Sequence, residues 1–195
     1  GEVQEATLAA VKKLGDLGAR ISEISFPDSV NARAITSAIT YPEGASVHSR
    51  LMQNHIGEYD HNMRITLLVG SLIPAHTYYK AQQLRQMVRE EFLKLFESVD
   101  LIALPTSAST APKIIDQPGL GSKQAFLDET FAPKKTLTSL SNLTGTPSIS
   151  IPCGFSSNEL PIGLQLIGRP MEEATVLKAS YSYEQATDWH NRRPP

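Results

Sequence analysis

The order of apolar and polar positions divides the chain into helical and extended stretches. Between residues 3 and 17, Val3, Thr7, Ala10, Val11, Leu14 and Leu17 recur every three or four positions, which predicts an amphipathic helix stopped by Gly18. Residues 19–26 carry the β-formers Ile21, Ile24 and Phe26 ahead of Pro27 and are predicted to form a strand. Residues 31–79 have helical character broken at Pro42, Gly44, Gly57, Gly70 and Pro74, so several short helices are expected there. A long helix follows. Its apolar stripe is Ala81, Leu84, Met87, Val88, Phe92, Leu95 and Phe96, while Arg85, Arg89, Glu90, Glu91 and Lys94 fall mostly off it.

Three short apolar runs come next, at 99–104, 148–151 and 162–167, closed by Pro105, Pro152 and Gly168. The first is apolar except for Asp100 and reads as a central strand covered on both faces. Residues 116–135 are rich in proline, glycine and charge, and a loop of that length inside a domain is more often functional than idle. A short helix is predicted over 137–143, with Gly145 and Pro147 as its stop, and a last helix over about 172–186, opened by two acids. Helices alternating with buried strands give an α/β class: a sheet with helices packed on it.

Composition narrows the range of partners. The chain has 195 residues, 41% hydrophobic and 19% charged, which suits one globular domain. Its 20 acidic and 18 basic residues are interspersed and give a formal charge of -2, so there is no footprint for nucleic acid or an anionic membrane surface. No apolar run reaches the roughly 18 residues of a spanning helix. With Cys153 as the sole cysteine an intrachain disulfide is excluded, and a cytoplasmic location is expected. The chain begins at Gly1 rather than methionine, so a piece of a longer polypeptide is expected.

The search for chemistry turns up candidates that lack their proper context. Gly119-Leu120-Gly121-Ser122-Lys123 has the wrong spacing for a phosphate loop and no strand directly before it. His55, Glu58, Asp60 and His61 are all metal-ligating types, but no histidine pair has the i,i+4 spacing that aims two rings at one ion, and Gly57 interrupts the face. A solvated turn is the better reading, and no metal is expected. Cys153 at the end of an apolar strand reads as a small buried hydrophobe, and Ser156 and Ser157 as turn hydroxyls in contact with solvent.

Four segments in this order and spacing resemble the C-terminal half of the amidase-signature family. They are the long helix with Tyr79, Ala81 and Arg85; Asp100-Leu101-Ile102-Ala103-Leu104-Pro105-Thr106; Asn142-Leu143-Thr144-Gly145-Thr146-Pro147 with the strand behind it through Gly154; and Leu160-Pro161-Ile162-Gly163-Leu164-Gln165-Leu166-Ile167-Gly168-Arg169-Pro170. The resemblance implies a mixed β-sheet flanked by helices on both faces, and hydrolysis of a carboxylic amide without metal or organic cofactor. It also implies that residues 1–195 are the C-terminal portion of one domain. In the family a serine attacks the carbonyl, a second serine relays a proton and a lysine is the base, all in the N-terminal half. Ser156 and Ser157 do not match that pattern, so no catalytic residue is assigned here.

What the resemblance assigns instead is one wall of a substrate pocket. The segment from Pro133 to Thr138 matches the part lining the acyl pocket in relatives, which points to Lys135 and Thr138. Glutamine-specific relatives carry an acid near that position. Lys134 and Lys135 here favour a general amidase over a glutamine-specific enzyme. Arg64 matches an arginine that contacts substrate in some relatives, with a structural or surface role as the alternative. The expected partners are a small-molecule amide, the missing N-terminal half and, through an exposed apolar edge, a second copy of the chain. The competing reading is a non-catalytic interaction domain that keeps only the family's C-terminal fold.

Overall fold

A computed structural model describes residues 1–113 and 137–194. The elements run α1 (Glu2–Asp16), α2 (Ala32–Val47), α3 (Ser49–His55), α4 (His61–Leu72), α5 (Ala75–Leu95), β1 (Leu101–Pro105), α6 (Thr138–Thr144), β2 (Ser148–Phe155), β3 (Pro161–Gly168) and α7 (Glu173–Gln185). Short 3-10 turns cover Pro27–Asn31, Ile56–Glu58 and Trp189–Asn191. Among the described residues no helix is long and apolar enough to cross a membrane.

The three strands form one sheet in the order β1-β3-β2, each neighbouring pair antiparallel. Alternation along β3 sends Ile162, Leu164 and Leu166 to one face, where they meet Ala10 of α1 and Val176 and Tyr183 of α7. Ile167 points to the other face and joins Ile35 and Ile39 of α2, Val88 and Phe92 of α5, and Leu140 and Leu143 of α6. Helices therefore cover both faces, as the α/β reading requires. The strand predicted to be central, residues 99–104, lies at an edge of this sheet, and Ala103 is exposed. An apolar run records burial on the two faces. It does not record how many neighbouring strands there are, and β3 is the strand with a partner on each side.

The strand predicted over 19–26 does not form. A strand is stabilised by ladder bonds to a neighbour, and no described strand lies beside this segment, so β propensity alone does not order it. It is held instead at its end. Phe26 packs edge-on against Phe92 with ring centroids 5.2 Å apart, while Ile21 stays exposed.

Three expected helix breaks are absent as well. Helix α2 continues through Pro42 and Gly44, and α4 contains Gly70. An internal proline costs about 3 kcal/mol or more. Here that is offset by the burial of Ile35, Ile39 and Ala45. Gly70 is small because α4 crosses α2 there at backbone distance: a Cβ would stand 2.1 Å from the Tyr41 carbonyl oxygen. On α5, Ala81, Val88, Phe92 and the following Phe96 are buried as predicted, but Leu84 and Met87 of the same stripe are exposed.

Strand β2 runs past its predicted end at Pro152 to Phe155. It is an edge strand, where a missing N–H is tolerated, and the ladder slips at a bulge between Pro152 and Gly154. Helix α6 stops as predicted. Gly145 takes the left-handed conformation at φ 68°, and its N–H donates to the Ser141 carbonyl at 2.8 Å.

Candidate substrate-facing site

The register of the sheet creates a polar end on the face that carries α6. In successive rows Ile102, Ile167 and Ser148 share that face, then Leu104, Gln165 and Ser150, then Thr106, Gly163 and Pro152. Along β3 the residue at the middle of each row goes from buried Ile167 through buried Gln165 to half-buried Gly163, and beside it the aliphatic Ile102 and Leu104 give way to Thr106.

Ser141 of α6 ties that helix to the sheet. Its Oγ donates to the Thr138 carbonyl at 3.2 Å and accepts from Ser148 Oγ at 3.2 Å and from Gln165 Nε2 at 3.3 Å. Gln165 is 3% exposed, and its Oε1 has no hydrogen-bond partner among the described residues. The C-terminal end of α6 is held from the other side. Arg85 Nε donates to the Leu143 carbonyl at 2.9 Å, and Arg89 donates to the Thr144 carbonyl. Two guanidinium groups from α5 thus satisfy carbonyls that a helix end leaves open.

Beyond Gln165 the sheet opens into a groove of about 490 Å³. Thr106 and Ser150 stand on its floor, their hydroxyls 2.6 Å apart across Gly163. A Cβ at Gly163 would lie 2.7 Å from Thr106 Oγ1 and 2.8 Å from Ser150 Oγ, so the pair closes because position 163 has no side chain. Ser107, Ser109 and Thr110 add hydroxyls along one bank, and Val3, Pro152 and Pro161 supply apolar wall.

Of the residues proposed from sequence, Thr138 begins α6 and is half-buried, one helical turn before Ser141. Arg64 lies half-buried on α4, with no side-chain hydrogen bond to another described residue. Both α4 and α6 lean on α2. Lys134 and Lys135, the 119–123 glycine segment and the rest of the 116–135 loop fall outside the described residues.

The other candidates have other employment. His55 Nδ1 pairs with Glu58 at 2.8 Å on the surface, and Asp60 caps α4 by accepting from the backbone N–H groups of Asn62 and Met63. Among the described residues no three His, Cys, Asp or Glu side chains converge as metal ligands. Cys153 is buried in the β2 bulge, and burial pushes its thiol up to about 11. Ser156 is not the solvated hydroxyl expected. It is 8% exposed, and its Oγ accepts from the Leu160 N–H at 3.2 Å. No histidine or lysine hydrogen-bonds to a serine, threonine or cysteine side chain among the described residues. The Thr106–Ser150 pair and Gln165 were not singled out from sequence. The glycine-flanked strand hints at them, but only the register reveals which hydroxyls meet across Gly163.

Comparison with known proteins places this architecture. An amidase from Pseudomonas putida is 30% identical over 197 residues, covering 99% of this chain and 41% of the relative. A glutamyl-tRNA(Gln) amidotransferase subunit from Thermodesulfovibrio yellowstonii is 35% identical over 219 residues, covering 99% of this chain and 43% of the relative. This chain therefore spans about two-fifths of the length of the curated relatives it matches. The fold superposes on 6-aminohexanoate cyclic dimer hydrolase with a TM-score of 0.81 at 21% identity, over 99% of this chain and 43% of that one. It also superposes on the corresponding glutamyl-tRNA(Gln) amidotransferase subunit from Thermotoga maritima, with a TM-score of 0.70 at 29% identity, over 95% of this chain and 39% of that one. The sequence profile of the family described as Amidase matches residues 1–177, and the chain belongs to that family.

Proposed function

We propose that this chain is the C-terminal portion of an enzyme that hydrolyses a carboxylic amide to an acid and ammonia or an amine, with nucleophile, proton relay and base supplied by the rest of the polypeptide. The observation that carries the reading is a contrast. Relatives with amidase or amidotransferase names match nearly the whole chain, while the chain covers only about two-fifths of them and among its described residues no histidine or lysine hydrogen-bonds to a serine, threonine or cysteine side chain. Acyl transfer needs a nucleophile within reach of a base and donors aimed at the developing oxyanion. The role left for this portion is to complete the sheet and to form one wall of the pocket.

Thr138, Lys135 and Arg64 are the proposed substrate-facing residues of that wall. The lysines at 134 and 135 favour a general amide over glutamine, since a neighbouring acid would suit the ammonium of an amino acid and a lysine would repel it. The single cysteine and balanced charge fit a cytoplasmic enzyme that acts on small molecules.

The test is to follow ammonia release from simple aliphatic and aromatic amides, first with the chain alone and then after co-folding with an N-terminal half carrying the family's serines and lysine. Background hydrolysis alone and turnover on complementation are expected. Turnover by the isolated chain that disappears on replacing Cys153, or Ser156 with Ser157, would overturn the reading. No turnover on complementation would favour a non-catalytic interaction domain.

A further inference from the structure

We infer that the groove floored by Thr106 and Ser150 is a binding subsite for the uncharged carbonyl or carboxamide end of a small molecule, and that it discriminates against carboxylate and ammonium groups; the preference for a carboxamide rests on the amide-hydrolase reading, the neutrality does not.

The first support is hydrogen accounting. Two hydroxyls 2.6 Å apart hold two protons. One proton lies between the oxygens, which leaves a single O–H donor together with unused lone pairs facing the groove. The internal bond polarises that free O–H and strengthens it as a donor. A ligand carbonyl accepts from it, and a carboxamide N–H donates back to the neighbouring oxygen. The backbone cannot compete for the same positions, because the Thr106 N–H already donates to the Gly163 carbonyl at 2.8 Å.

The second support is the lining. Ser107, Ser109 and Thr110 supply further neutral hydroxyls, Val3 and Pro152 supply apolar surface, and among the described residues no lining side chain carries a charge. A groove of about 490 Å³ is within the size range of small-molecule sites, which are mostly apolar with a few placed polar groups. A carboxylate or ammonium group resting on this floor finds no counter-charge, whereas a neutral amide finds both a donor and acceptors. Gly163 keeps the floor open, since any side chain there would stand between the two hydroxyls.

The test is a heteronuclear NMR titration of the chain with three ligands of one size: benzamide, benzoate and benzylammonium. Benzamide is expected to shift the backbone amides of Thr106, Ser150 and Gly163 saturably, and the two ions to leave them in place. The double variant Thr106→Val with Ser150→Ala should weaken benzamide about fivefold or more, the loss of at least one neutral hydrogen bond, while Thr106→Ser should bind as the parent does. Benzoate binding at the same residues with equal affinity, benzamide shifts that are scattered or do not saturate, or a double variant that binds like the parent would overturn the inference. Saturable binding here supports it whether or not the complemented enzyme turns over. Turnover without binding at the groove sinks this inference alone.

Discussion

Gly70→Ala is the substitution that most directly tests the packing on which the helical layer depends. Judged by helix propensity it should stabilise α4, by about 1 kcal/mol. The structure reverses that expectation. The added Cβ would lie 2.1 Å from the Tyr41 carbonyl oxygen, 2.6 Å from its carbon and 3.1 Å from Ala45 Cβ, and two of these three atoms belong to backbone that cannot rotate away. To restore an ordinary contact α4 and α2 must part by about 1 Å, a gap that forfeits a quarter to a half of each dispersion contact across the crossing. Leu67 and Ala45, both buried at this crossing, share that loss. Overpacking of this kind costs about 1–3 kcal/mol, and a collision with backbone belongs at the upper end. A net destabilisation of about 2 kcal/mol is therefore expected after the propensity gain. Urea unfolding followed by far-UV circular dichroism measures it. Gly57→Ala is the control, because a Cβ at Gly57 meets nothing within 4 Å. A Gly70→Ala protein as stable as the parent, with Gly57→Ala unchanged or slightly stabilised, would refute the close crossing of α2 and α4.

Three further outcomes are expected. Replacing Arg85 or Arg89 by Met should cost about 2 kcal/mol each, the scale of a charged hydrogen bond, and should speed amide hydrogen exchange in residues 140–146 more than in α1. Asp60→Ala removes the cap of α4 and should lower stability by about 1 kcal/mol, with Asp60→Asn recovering most of it, both read from urea midpoints. The third concerns alkali. Burial raises the Cys153 thiol from an ordinary 9.0 to about 11, and burial, with a smaller push from Cys153 and an opposing hydrogen bond to Trp189, raises the Tyr183 phenol from 10.0 to about 12. A raised native value favours the folded state fully below the unfolded value and loses that contribution as pH climbs through the native one. Stability measured across alkaline pH should accordingly begin to fall near pH 9 and continue through pH 11 to 12, and Cys153→Ala should leave only the later, tyrosine-linked part. A pH-independent midpoint across the range from the ordinary thiol value of 9.0 to about 11 would contradict the burial of both groups.

Much of the local structure could be read along the chain because its causes are local. The stripe from Ala81 to Phe96 set α5, Gly145 and Pro147 ended α6, and the fenced apolar runs located all three strands. The order of those motifs was also sufficient to indicate the family. What sequence could not supply was pairing. It made residues 19–26 a strand although no neighbour completes a ladder there, and it placed the 99–104 strand at the centre because apolar side chains report covered faces and say nothing about edges. It broke helices at Pro42 and Gly70, where close packing of α2 on α4 outweighs propensity. The groove depends on the same missing information. Thr106 and Ser150 are 44 positions apart, and nothing along the chain joins them. Hydrophobic periodicity and turn chemistry act over a few residues and are written into the sequence. The meeting of two hydroxyls across Gly163 depends on strand register, which is fixed only when the whole sheet has closed against its helices.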